Sequence, residues 1–274
     1  MKPNIQPATE SVDIMVIAHC SELLSPDDPA FVHAVAIAAR SGAAVRSIHV
    51  TRGLVPEGSP PDAASLLVRW GWPAARIDHA WLLSASTEDA ADALLEVIVR
   101  VEPDLLVVNT HARSGLARVF AGSVAEGIAR NVALPVLLLP ISGPALVDPQ
   151  SGALRLGRAL LLAGSREDTE HAAQGLCVLA KLAALERCAL ELLHVDDATP
   201  PPNAVLPTAF EVTRRRASGP LERAVAERVR ECPPDLIVMT SHGHDQLSDI
   251  VFSSRTERVL HEVRRPLLWI PARR

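Results

Sequence analysis

The chain has 274 residues, 48% hydrophobic and 22% charged, a balance that fills globular cores and argues against extended disorder. A formal charge of −5, with no basic run beyond residues 214–216, leaves no cationic surface for phosphates and excludes nucleic acid as an expected partner. Cys20, Cys177, Cys188 and Cys232 form no CxxC pair, residues 1–12 hold no apolar signal core, and no apolar run reaches the roughly 20 residues of a membrane helix. Reduced thiols, a cytoplasmic location and no membrane partner are therefore expected.

In chain order, the apolar run 14–18 predicts a first strand, with His19, Cys20 and Ser21 leading to a helix over about 28–41. A second strand over 44–50 closes on His49 and Val50. A long crossover follows, with a helix near 61–71 and a strand near 80–83, then a helix over about 87–102 and a strand over 105–108. After a loop and a further helix, a last strand over 136–139 completes the unit. A connector over 143–156 carries prolines and glycines without periodicity. The same pattern then restarts with a strand over 159–163, Ser165 and a helix over about 170–184. A strand over 189–195 ends on His194 and Val195. A candidate strand near 210–214 follows, with little room for the crossover helix. A helix over 220–232 and strands over 236–239 and 267–270 end the second unit.

The two units align without a gap between residues 103–140 and 234–271. Pro103/Pro234, Asp104/Asp235, His111/His242, Ser123/Ser254, Glu126/Glu257, Pro135/Pro266 and Pro140/Pro271 are identical. Two amphipathic stretches do not match prolines, a serine and a glutamate in register by coincidence, so the chain is a duplication. Apolar strands separated by helical crossovers predict parallel sheets covered on both faces. The expected fold is α/β, with two doubly wound parallel five-stranded sheets in a pseudo-twofold tandem pair. The expected domains are 1–142 and 157–274. The last strands, apolar and exposed at a sheet edge if left alone, are expected to pair with each other within the chain.

Ligands of open parallel sheets bind beyond the carboxyl ends of the strands. The loop after the fourth strand lies there, over 109–123 in the first unit and 240–254 in the second. These loops resemble the universal stress protein family, whose nucleotide-binding members carry a glycine, two residues, a glycine, nine residues, and a glycine followed by serine or threonine. The corresponding residues are Asn109, Ala112, Gly122 and Ser123, then Thr240, Gly243, Ser253 and Ser254. Glycines let backbone amides approach phosphates, and the last hydroxyl with its helix N-terminus completes an anion nest. The resemblance also places an aspartate at the end of the first strand, matched to His19 and Ala163, and an adenine-facing valine on the second strand, kept as Val50 and Val195. It implies ATP, with magnesium, as ligand, held better by the first unit, on an architecture similar to the adenine nucleotide alpha hydrolases.

The other reactive residues have ordinary readings. His111 and His242 lack a nucleophile or carboxylate partner and are expected to bond to backbone, while His242, His244 and Asp245 lack further ligands for a metal. His49 and His194 are read as structural, Cys20 as a core-edge residue, and Arg113 and Arg118 as solvated or phosphate-facing. The expected function is stress-linked binding or regulation without catalysis. The alternative is a protein-interaction module that has lost its nucleotide and works with a protein partner or as a homodimer.

Overall fold

The computed structural model describes residues 14–20, 25–51, 60–85, 90–110, 134–140, 143–195, 203–240 and 263–271. Local signals place the elements. Helix α1, Pro29–Ser41, begins where the Asp28 carboxylate accepts the amide hydrogens of Ala30 (2.8 Å) and Phe31 (3.3 Å). Pro29 occupies the first turn, where no amide donor is needed, and Gly42 ends the helix at φ 75°. Helices α2, Ala63–Arg69, and α3, Ala90–Val101, follow. Helix α4, Arg166–Leu182, starts a turn before the expected residue 170, because Ser165 and Asp168 form a reciprocal capping box. Helix α5 is Leu221–Glu231.

The strands of the first half are β1 Val16–Cys20, β2 Ala44–Thr51, β3 Asp78–Ala85, β4 Leu105–Thr110 and β5 Val136–Pro140. Those of the second are β6 Arg158–Ala163, β7 Cys188–Val195, β8 Phe210–Ala217, β9 Leu236–Thr240 and β10 Leu267–Ile270. Each half is parallel throughout. The halves join into one ten-stranded sheet in the order β3-β2-β1-β4-β5-β10-β9-β6-β7-β8, so one half is the reversed image of the other. The junction is the antiparallel pair β5–β10, with Leu138 opposite Leu267, Leu137 opposite Leu268 and Val136 opposite Trp269. The two expected sheets are thus halves of a single sheet.

The residues repeated between the halves do the same physical work. Asp104 Oδ2 accepts from Val16 N (2.7 Å), and Asp104 N donates to Val16 O (2.8 Å). Asp235 treats Arg158 in the same way, at 2.9 Å in both directions. The carbonyls of Pro135 and Pro266 accept from Leu106 N and Ile237 N. Each Pro-Asp pair therefore fixes where the first strand of its half starts beside the fourth.

Both faces of the sheet carry a core that crosses the junction. On one, Ala34, Ile37 and Ala38 of α1 and Leu176, Leu179 and Leu182 of α4 cover Val107, Leu137, Leu139, Leu268 and Ile270. On the other, Leu94 and Ile98 of α3 and Val225 of α5 cover Val136, Leu138, Leu267 and Trp269. Arg40 Nε donates to the carbonyl of Ala183 (2.9 Å), tying the last turn of α1 to an open carbonyl at the end of α4.

The connector is a packed hairpin. Val147 and Leu154 bridge antiparallel, and Leu146, Val147 and Leu156 are buried. Trp70 Nε1 donates to Pro149 O (3.0 Å) over Gly152, which has φ 68°, and a Cβ there would lie 2.5 Å from the indole. His33 anchors the same segment. Its Nδ1 donates to Pro29 O (2.6 Å), and its Nε2 accepts from Leu146 N and Val147 N, both at 3.1 Å. That geometry requires the neutral ring, and burial pushes its pKa down to about 4, against the opposing pull of the Pro29 carbonyl and Asp28. Among the described residues no helix is long and apolar enough to cross a membrane.

Two measurements follow from this packing. Trp269→Ala, at a site 1% exposed, costs about 3–5 kcal/mol and lowers a single calorimetric transition; two separated transitions would contradict a core shared by both halves. Because the folded pKa of His33 lies below its unfolded value of 6.5, the unfolded chain binds more protons between about pH 6.5 and 4. The stabilisation is complete above that window and is lost as pH falls through it. Urea midpoints at pH 7 and pH 5 are expected to differ by about 2 kcal/mol from His33 alone, and His33→Gln shrinks the difference by roughly 1–2 kcal/mol. An unchanged difference in the variant would remove His33 as the cause.

Candidate functional site

In the first half, β1, β2, β3 and β4 bring four polar side chains, running from the amino end of β3 to the carboxyl ends of β1 and β4, towards Asp28 at the start of α1. Asn109, at the end of β4, donates from Nδ2 to Asp28 Oδ1 at 2.6 Å. His19, on β1 and wholly buried, holds Nε2 3.8 Å from Asp28 Oδ2 and Nδ1 3.1 Å from Ser47 Oγ on β2. Ser47 Oγ in turn lies 3.0 Å from His79 Nε2 on β3, and His79 Nδ1 accepts from Ala63 N (3.4 Å) at the start of α2. Phe31 and Trp81 enclose the histidines, stacked with ring centroids 6.1 Å apart, while His19 lies 5.5 Å from Phe31.

Hydrogen-bond logic assigns the protons. Ala63 N–H makes His79 Nδ1 an acceptor, so neutral His79 carries its proton on Nε2 and donates to Ser47. The Ser47 hydroxyl then donates to His19 Nδ1, which leaves the His19 proton on Nε2, facing Asp28. Burial, reinforced by the charge of His19 when protonated, pushes the His79 pKa down to about 4 and keeps this ring neutral at pH 7. The chain of donors runs in one direction, from the N-terminus of α2 to His19, whose Nε2 faces Asp28 without a hydrogen bond to it.

Among its described residues the second half has nothing like it. Ile17 lies between Val45 and Leu105, and Ala159 between Leu190 and Leu236, so β1 and β6 are equivalent residue by residue. The equivalents of His19, Ser47 and His79 are Leu161, Leu192 and Val212, all packed in the apolar core. This corrects the matching of His19 with Ala163. Ala163 pairs with His194 and corresponds to position 21, which lies outside the described residues.

Other expected site residues divide clearly. Val50 and Val195 end their strands half-buried against the core on the α3 and α5 face. Asn109 and Thr240 are buried at equivalent ends of β4 and β9. Ala112, Gly122, Ser123, Gly243, Ser253 and Ser254, together with His111, Arg113, Arg118, His242, His244 and Asp245, lie outside the described residues. Cys20 is buried and burial pushes its thiol pKa up, as suits a core residue. His194 Nδ1 donates to Ala163 O (2.8 Å). Asp28, Ser47 and His79 were not expected at the site. A serine and a histidine inside apolar strands, and an aspartate before Pro29, are the sequence signals that mark them.

Since the fold packs aliphatics at all three positions in the second half, the polar relay is not required for folding. His19→Leu/Ser47→Ala/His79→Val, which roughly conserves volume and strands only Ala63 N in the open first turn of α2, is expected to keep stability within about 1 kcal/mol. Ser47→Ala alone strands both rings and costs about 1–3 kcal/mol in urea unfolding. A triple variant as unstable as the single one would mean that the relay is structural.

Comparison with known proteins agrees with this architecture. The profile of the universal stress protein family matches residues 22–140 and 204–271, more than half of the chain. The second match begins beyond β7, after the strands where the relay positions have become leucines. A universal stress protein of Methanocaldococcus jannaschii is 32% identical over 120 residues, 39% of this chain and 71% of that protein. The crystal structure of a universal stress protein from Archaeoglobus fulgidus superposes with a TM-score of 0.63 at 16% identity, covering 94% of this chain and 96% of that one. The crystal structure of a functionally unknown protein from Pseudomonas aeruginosa gives 0.61 at 13% identity, covering 94% of this chain and 92% of that one. With two matched segments on two mirrored halves of one sheet, the chain belongs to the universal stress protein family, as a tandem of two such units.

Proposed function

We propose that this protein is a cytoplasmic stress-response binding protein, without catalytic activity of its own, whose first domain, 1–142, holds an adenine nucleotide. The second domain, 157–274, serves chiefly as its structural partner. The observation that carries this reading is the asymmetry of the halves: the first keeps a buried polar relay leading to Asp28 and Asn109 where the second is aliphatic. Burying such groups costs free energy that leucines avoid, so a function is the reason to retain them.

The residues present suit the nucleoside part of ATP. Asn109 Oδ1 is buried without a partner, and the Asp28 carboxylate beside it attracts donors, as hydroxyl or amino groups would supply. The phosphates, with magnesium, fall to Gly122 and Ser123 if the family's loop operates here. Bound ATP would supply the phosphate charge, while this chain's residues orient the nucleoside.

A second reading, a protein-interaction module without nucleotide, is favoured by Asn109 and Thr240, whose side chains fill positions that nucleotide-binding relatives keep as glycine. Isothermal titration of the full chain with ATP and magnesium decides between them. A saturable heat with a dissociation constant below about 1 mM, weakened at least about tenfold by Ser123→Ala, is the expected result, since one charge-assisted hydrogen bond to phosphate is worth about 1.5–3 kcal/mol. No heat at millimolar nucleotide would leave the interaction reading.

A further inference from the structure

Both halves bury a polar atom without a partner at the same place in the fold. Asn109 pairs with Leu139 and Thr240 with Ile270, so they are equivalent ends of the fourth strand, 7% and 5% exposed. Among the described residues, Asn109 Oδ1 and Thr240 Oγ1 have no hydrogen-bond partner. Unsatisfied buried polar atoms are uncommon, and two at equivalent positions mark a contact that something outside the protein completes.

The two atoms are chemically unlike. A threonine hydroxyl both donates and accepts, and it rotates to suit its partner. The Asn109 amide has no such freedom, because Asp28 Oδ1 already accepts from Ala30 N and Phe31 N and so must accept from Asn109 Nδ2 as well. Flipping the amide would set its oxygen against a carboxylate oxygen at 2.6 Å. On the far side of Asp28, the donor chain from His79 through Ser47 ends with His19 Nε2–H facing Oδ2, so a hydrogen-bond donor approaches the carboxylate from that side also. Two buried atoms of this edge are left without a hydrogen bond, His19 Nε2, which faces the Asp28 carboxylate at 3.8 Å, and Asn109 Oδ1, which faces no donor among the described residues; Oδ1 is the one offered to a ligand, and it can only accept.

We propose that Asn109 is the specificity-determining residue of the first half, with Asp28 its positioning residue, and that this edge selects a ligand group that donates a hydrogen bond. It rejects phosphate and any bare carbonyl or ring nitrogen at that point. The second half, with Thr240, does not make the distinction. This rests on the adenine-nucleotide reading above, in which two groups have the required chemistry: the exocyclic amino group of the base and the ribose hydroxyls.

The test is titration of the full chain with ATP, inosine triphosphate, 2′-deoxy-ATP and 3′-deoxy-ATP, each with magnesium. Wild-type protein is expected to bind inosine triphosphate, or one of the deoxy forms, at least about tenfold more weakly than ATP, because the missing donor leaves Oδ1 unpaired. Loss with inosine assigns the amino group, and loss with a deoxy form assigns that hydroxyl. Asn109→Thr, which installs the side chain the second half already carries, should reduce the ratio to within about threefold, with a lower melting temperature from the lost bond to Asp28. Should that variant fold poorly, the Asn109 side-chain amide signals in a nitrogen-15 spectrum give an independent readout, shifting with ATP and not with the rejected analogue. Equal binding of all four nucleotides by wild-type protein, or a ratio that survives Asn109→Thr, would overturn the assignment alone. No binding of ATP would overturn the nucleotide reading and this assignment together.

Discussion

An open parallel sheet that ends on the sequence Val-Leu-Leu-Leu has an edge that cannot be left to water, and the rest of the molecule follows from how that edge is closed. β5 and β10 cover each other. In the antiparallel register, Leu137 faces the same side as Leu268, and Val136 the same side as Trp269, so each strand extends the neighbouring core instead of interrupting it. Two small cores thereby become two layers that run the length of a ten-stranded sheet. Duplication of the module supplies the second edge at an effective concentration that separate chains would have to reach by association.

Once the junction carries the stability, the polar interior of each half is free to diverge. The Pro-Asp pairs at Asp104 and Asp235 keep identical bonds to Val16 and Arg158, because strand alignment depends on them in both halves. Beyond those anchors the relay positions on β1, β2 and β3 of the first half are histidine, serine and histidine, and those on β6, β7 and β8 of the second are leucine, leucine and valine. The polar version has the higher desolvation cost, and its hydrogen bonds link one side chain to the next, which makes it specific in geometry and sensitive to single deletions.

Period, proline register and apolar runs were enough to locate the strands and the duplication, since these depend on local chemistry and on repetition. The β10 bounds are those read from the sequence, and β5 differs only by Pro140. What escaped was long-range or reciprocal. The capping box of α4, Ser165 with Asp168, lies a turn before the apolar period begins, so a reading by period starts the helix late. The correspondence of Ala163 with His19 failed because both follow apolar runs, and only the strand register shows that they are two residues apart. Ser47 and His79 are distant in sequence and joined only by adjacent strands, so neither could be read as a partner of His19.

The connector shows why a stretch without periodicity is a poor guide to a flexible link. Its tight turn is built by Asp148, which accepts from Gln150 N and Ser151 N and pairs with Arg155, while its apolar residues are contributed singly to a core assembled by other elements. What holds it is His33, one turn along α1 from Asp28. Helix α1 is therefore fixed at its start by Asp28 and Asn109, along its length by His33 and the connector, and at its end by Arg40 on α4. The helix that frames the polar edge of the first half is thus held by residues from the first half, the connector and the second half. A tandem chain can maintain that arrangement more rigidly than a single module, which has neither the connector nor α4 to lean on.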